Sequence, residues 1–122
     1  MITHELRLLA DAIYEKKGQD VVSLDLRSID GAITDFFVVC DGSNTTQVGA
    51  IAENIAEKMK QEGLQLFRSQ GEGNNFWIIQ DYGHIVVHIF LKEYREFYRL
   101  QDLWADVPRK EHKERKLKTP SK

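Results

Sequence analysis

The stretch "DGSNTTQVGAIAENIAEKM", Asp41 to Met59, follows the apolar run "FFVVC" and has the makings of a phosphate cradle. A strand, a tight Gly-Ser turn and a helix N-terminus form a ready anion site. The first-turn N–H groups lack partners there, and the helix dipole favours negative charge. Nucleotidyl transfer at Gly42 and Ser43 would also need clustered carboxylates to hold Mg²⁺ beside the phosphates. No Asp-x-Asp pair follows on an adjacent strand, and "LFRSQGEGNNFW" offers only Glu72. No lysine fits a P-loop and the glycines do not form G-x-G-x-x-G. The expected role of Gly42 and Ser43 is therefore to start a helix, with a nucleotide-binding or nucleotidyl-transferring enzyme as the alternative reading.

His84 and His88 are spaced H-x-x-x-H, which on a helix would suit zinc. The pattern around them is that of a strand, where a rise of about 3.3 Å per residue sets them about 13 Å apart. They are not expected to share a metal, and alternation turns His88 away from Val87 and Ile89. Cys40 ends an apolar strand and reads as a small buried hydrophobe rather than a nucleophile. No cofactor or metal is expected.

Six aromatics, Trp77, Tyr82, Tyr94, Phe97, Tyr98 and Trp104, fall between Phe76 and Trp104 among Asp81, Lys92, Glu93, Arg95 and Arg99. Positions such as Phe97 and Leu100 are expected in the core. The whole set exceeds what one helix face buries, and aromatics with arginine amid charges have the composition of interface hot spots.

The elements that must position these groups follow from periodicity. Thr3 is a candidate N-cap for a helix with Leu6, Leu9, Ala10 and Ile13 on one face, ended by Lys16, Lys17 and Gly18. "VVSLDLR" alternates, predicting a half-exposed strand with Val22, Leu24 and Leu26 to one side. Phe36 to Cys40 is apolar throughout, as a strand covered on both faces is. Asn44 with Gln47 matches a capping box for a helix with Val48, Ile51, Ala52, Ile55 and Met59 on one stripe, stopped at Gly63. "LQLFR" predicts a third strand, reached by a right-handed parallel crossover. "FWIIQ" and "IVVHIFL" around "DYGH" predict a hairpin over Phe76 to Leu91. A last helix is predicted from Glu93 until Pro108 forbids continuation. The order α-β-β-α-β-β-β-α implies an α/β fold, one mixed sheet with helices packed on it.

At 122 residues the chain is expected to form one domain over residues 1–107 and a basic, disordered tail over 108–122. The tail holds seven Lys or Arg against two Glu, which leaves ten basic and seventeen acidic residues before it. An acidic body suits a basic protein partner better than nucleic acid, although the tail could touch RNA weakly. A single cysteine, no leader-like N-terminus and no apolar run near 18 residues point to a cytoplasmic protein without membrane contact.

Four blocks in order, "KKGQDVVSLDLRSI", "TDFFVVCDGSNTTQVGAIAENI", "WIIQDYGHIVVHIF" and "REFYRLQDLWAD", closely resemble the ribosomal silencing factor (Iojap-like) family over about residues 3–107. Members often have a basic residue at the position of Thr46 and an Asp at that of His84. The resemblance implies a nucleotidyltransferase-like fold without catalytic carboxylates, and no enzymatic activity. It implies binding to the large ribosomal subunit through the basic ribosomal protein numbered fourteen, blocking of subunit joining, and repression of translation when nutrients are scarce. By the same resemblance Trp77, Tyr98 and Leu100 contact the partner, Asp81, His88 and Arg95 support them, and the free protein is a homodimer.

Overall fold

In the computed structural model, which describes residues 2–115, β2 (Phe36–Gly42) and β5 (Ile85–Leu91) lie side by side at the centre of a six-stranded sheet. They are parallel, in register from Phe36 opposite Ile85 to Gly42 opposite Leu91. Both are almost wholly buried, as their unbroken apolar sequences require. β1 (Gln19–Asp25) and β6 (Arg109–His112) extend the sheet on one side, β4 (Trp77–Asp81) and β3 (Arg68–Gln70) on the other, all antiparallel to their neighbours. The order is β3-β4-β5-β2-β1-β6.

One face of the sheet is covered by α1 (Ile2–Glu15) and α2 (Thr45–Gln61). Leu9 and Ile13 of α1 and Val48, Ile51, Ile55 and Met59 of α2 meet Val38, Cys40, Val87 and Ile89 in the main core. Buried polar groups inside this layer are paired. Tyr82 donates its hydroxyl to Gln80 Oε1 at 2.9 Å, and Gln80 Nε2 donates to the Ala52 carbonyl at 3.0 Å. The second face carries a smaller core of Val22, Leu24, Leu26, Phe37, Val86 and Val107.

The Asn44–Gln47 pair caps α2, with one difference from the expected box. Asn44 Oδ1 accepts from Gln47 N at 2.8 Å, while Gln47 Oε1 accepts from Ser43 N rather than Asn44 N, at 2.5 Å. Gln47 Nε2 also donates to the Lys16 and Lys17 carbonyls, at 3.1 and 3.2 Å. One glutamine thus closes the Gly-Ser turn and ties α2 to the end of α1.

Four sequence expectations are corrected. The third strand is not a parallel crossover strand over Leu64 to Arg68: β3 is Arg68–Gln70 and pairs antiparallel with β4 at the sheet edge. The polar "RSQ" suits an exposed edge, while the apolar β5 takes the central place beside β2. The reversal into β4 runs close to Gly71, whose φ is 95° and where a Cβ would collide with the Trp77 carbonyl. β1 is not half-exposed, because Val21 and Ser23 are buried on the face opposite Leu24. The last helix is not continuous: α3 (Lys92–Tyr98) ends at Arg99, which is left-handed at φ 51°, and a 3₁₀ turn follows at Leu100–Trp104. The basic stretch after Pro108 begins as strand β6, its His112 carbonyl accepting from Tyr14 Oη at 2.6 Å. The rest of the expected tail, residues 116–122, lies outside the described residues.

Loss of the cap should be measurable in urea unfolding. Asn44→Ala is expected to cost about 1 kcal/mol. Gln47→Ala should cost at least as much, because it removes bonds to two elements.

Candidate functional site

β4 alternates, sending Ile78 and Gln80 into the main core and Trp77, Ile79 and Asp81 to the second face. Opposite them on β5, Phe90 faces Trp77 and His88 faces Ile79. The Trp77 ring stacks on Phe90 with centroids 4.7 Å apart, and its Nε1–H donates to His88 Nδ1 at 3.1 Å. α3 lowers Tyr98 onto the same ring at 5.1 Å, while Tyr94 stacks on Phe76 at 4.8 Å. On the other side of His88, Phe37 meets it edge-on at 4.6 Å and reaches Trp104 at 5.9 Å. The result is a band of aromatic rings across the second face of the sheet.

Arg95 holds α3 in place. It is 8% exposed, and its Nη1 donates at 2.8 Å both to Asp41 Oδ2 on β2 and to the Asp20 carbonyl on β1. The β1 ladder is irregular between Gln19 and Val22, with Asp20 at φ 55°, and there the Gln19 and Asp20 carbonyls turn toward the guanidinium. Its Nε and Nη2 donate to Gln101 Oε1, at 3.1 and 3.0 Å. The arginine therefore also ties the 3₁₀ turn to α3. The chain breaks at Arg99, and the break folds Leu100 and Trp104 onto the second core. Phe97, expected in the core, is instead 78% exposed beside Tyr98 at 47%. Leu103, on the 3₁₀ turn, is also 75% exposed.

The six residues singled out from the sequence do not form one cluster. Trp77, His88 and Tyr98 come together, with Leu100 half-buried against the neighbouring core. Arg95 lies beneath α3 with its donors engaged by the protein itself. Asp81 is at the opposite end of β4 from Trp77, where its Oδ1 accepts from Gly83 N at 2.8 Å and helps shape the β4–β5 turn. Sequence reasoning missed the exposure of Phe97 and Leu103. Uninterrupted helical periodicity hid it, and no glycine marks the left-handed residue. Of the histidines, His84 lies in that turn against Glu5 of α1, at 2.5 Å. Among the described residues no cluster of three or more His, Cys, Asp or Glu could hold a metal.

The ring of His88 has an unusual environment. Because the indole only donates, His88 Nδ1 is the acceptor and the neutral ring carries its proton on Nε2. That second nitrogen is buried and has no hydrogen-bond partner among the described residues. Burial pushes the imidazole down from 6.5 to about 4. The unfolded chain then takes up a proton between these values that the folded chain refuses, so stability is full above about 6.5 and falls as pH drops toward 4. At about 1.4 kcal/mol per unit of pKa, the loss attributable to His88 is expected to reach about 2–3 kcal/mol at pH 4.5. His88→Gln should flatten this slope in urea unfolding at pH 7 and 4.5. Burial, Lys110 and Arg7 lower His112 too, so the variant should keep a weaker slope of the same sign. Arg95→Ala, which leaves Asp41 buried without its cation, is expected to cost about 3–5 kcal/mol at pH 7.

Comparison with known proteins places this geometry in a family. The family model described as "Ribosomal silencing factor during starvation" matches residues 2–122. A ribosomal silencing factor of Halalkalibacterium halodurans is 37% identical over 103 residues, covering 84% of this chain and 87% of that protein. One of Bacillus subtilis is 35% identical, covering 84% and 86%. Among solved structures, a crystal structure of a Chromobacterium violaceum protein superposes with a TM-score of 0.81 at 28% identity, covering 86% of this chain and 87% of its own. With a family match along nearly the whole chain and relatives above 30% identity, the chain belongs to the ribosomal silencing factor family, a family of translation regulators.

Proposed function

We propose that the protein binds the large ribosomal subunit through ribosomal protein number fourteen and sterically prevents the small subunit from joining, lowering translation when nutrients are scarce. The observation that carries this reading is the exposed aromatic pair of Tyr98 and Phe97 on α3, with Tyr98 packed on Trp77 of β4. Such groups set in a charged rim have the make-up of a protein-binding hot spot. The rim favours a basic partner: from Lys92 to Val107, Glu93, Glu96, Asp102 and Asp106 are exposed against Lys92 and Arg99, since Arg95 is buried.

In this reading Trp77, Tyr98 and Leu100 make the contacts. His88 and Arg95 act by holding Trp77 and α3, and Asp81 by shaping the adjoining turn. Steric silencing needs occupancy and no chemistry, so the protein acts as a binding protein in the cytoplasm. When free it pairs as a homodimer, for which the short edge strands β3 and β6 or the aromatic patch offer surfaces.

Co-sedimentation tests the reading. The protein should travel with free large subunits and not with assembled ribosomes. Tyr98→Ala, at an exposed position, should weaken binding about 10- to 30-fold with the unfolding midpoint nearly unchanged, at about 1.4 kcal/mol per tenfold. Trp77→Ala should weaken binding at least as much with some loss of stability. Equal co-sedimentation of the wild type and both variants would refute the site. Recovery with assembled ribosomes would refute the mechanism.

A further inference from the structure

Away from the aromatic face, α1 and β6 enclose an open cleft of about 410 Å³ whose charge is opposite to that of the rest of the chain. Arg7, Arg27, Arg109, Lys110, Lys113 and Arg115 line it, against the carboxylates of Asp11, Asp25 and Glu111. Asp25 is taken by Arg27, which grips it with Nε at 2.9 Å and Nη2 at 2.8 Å, and Asp11 is paired with Arg115. Arg7, Arg109, Lys110 and Lys113 make no ion pair among the described residues. Glu111 is the one lining carboxylate similarly unpaired among the described residues; register sets it opposite Val22 and Arg109 opposite Leu24, whose side chains belong to the second face, so Arg7, Lys110 and Lys113 are left as the unpaired cations of the cleft.

The cleft is built from fixed parts. Tyr14 of α1 donates its hydroxyl to the His112 carbonyl, and His112 Nε2 lies 2.8 Å from Ser23 Oγ of β1. These contacts hold β6 against α1, so Arg7 on the helix and Lys110 on the strand are close enough for both to disfavour a charge on His112. Bringing like charges together without counter-ions is unfavourable unless an anion completes the site. The sequence adds Lys116, Lys118 and Lys122 directly after it, whereas the residues before Pro108 are strongly acidic.

We propose that the α1–β6 cleft binds the phosphate backbone of RNA. Cations spaced along a strand and a facing helix meet successive phosphates, and an open groove admits a continuous chain. The choice of RNA over other polyanions rests on the ribosome-bound reading above. The contact is electrostatic and independent of sequence, and it is separate from the aromatic face, so it would orient the protein on a ribonucleoprotein surface without choosing the partner.

A fluorescently labelled RNA hairpin, titrated with full-length protein between 50 and 200 mM salt, tests this by anisotropy. The proposal expects binding that weakens with salt, with a log–log slope of about −2 to −3 for three phosphates. Arg7→Ala with Lys110→Ala should lower the magnitude of that slope by about 2 and affinity at 50 mM salt by tenfold or more, with Arg7→Glu and Lys110→Glu lowering affinity further. Tyr98→Ala should leave RNA binding unchanged while weakening subunit co-sedimentation, so the two readings fail separately. Absence of RNA binding at 50 mM salt would overturn the proposal. So would RNA binding that is untouched by the Arg7 and Lys110 variants, including binding lost only when Lys116, Lys118 and Lys122 become Ala. Poly-glutamate binding as tightly as the hairpin would overturn it in favour of an acidic protein surface.

Discussion

The buried guanidinium of Arg95 determines what the second face of the sheet becomes. A charge this far from water is tolerable only when its donors are engaged, and here β1, β2 and the 3₁₀ turn each supply an acceptor. Burial raises the pKa of Asp41 and the guanidinium opposes that rise, so each charge depends on the other. Because the acceptors lie on three separate elements, satisfying one arginine fixes the position of α3 and the direction of the chain after it. Tyr98 over Trp77, and Leu100 and Trp104 over the second core, follow from that placement.

The two faces of the sheet are consequently different in kind. The first is a conventional layer of two amphipathic helices whose few polar groups are internally paired, as in the Tyr82–Gln80–Ala52 relay. The second is too short of helix to be covered. The 3₁₀ turn closes the part over β1 and β2, and the seven-residue α3 with the aromatic rings closes the part over β4 and β5. Rings supply much area per residue with few rotatable bonds, so such a surface stays ordered while exposed. The unpartnered Nε2 of His88 beneath them is the polar cost of that arrangement.

The charge distribution has the same physical separation. Acidic side chains dominate the exposed part of α3 and the 3₁₀ turn, while cations gather where α1 faces β6. A net charge of −2 conceals this. A surface divided in this way can present one protein partner and one polyanion with complementary fields without either contact opposing the other.

Periodicity alone was enough for α1, α2, the central strands and the β4–β5 hairpin, because their apolar repeats have one satisfactory burial. The Asn44–Gln47 cap was legible for the same local reason, and so was the separation of His84 from His88. The sequence by itself thus determined those elements, the acidic body and the family blocks. Tertiary structure alone decided the break at Arg99, since a non-glycine residue adopts a left-handed conformation only when surrounding bonds hold it there. It alone also made "RKEH" a strand, since an edge strand draws on backbone bonds to β1 and needs no apolar pattern of its own. The break in turn depends on the burial of Arg95, and the cleft beside Arg7 on the new strand, both of which rest on contacts between residues far apart in the chain.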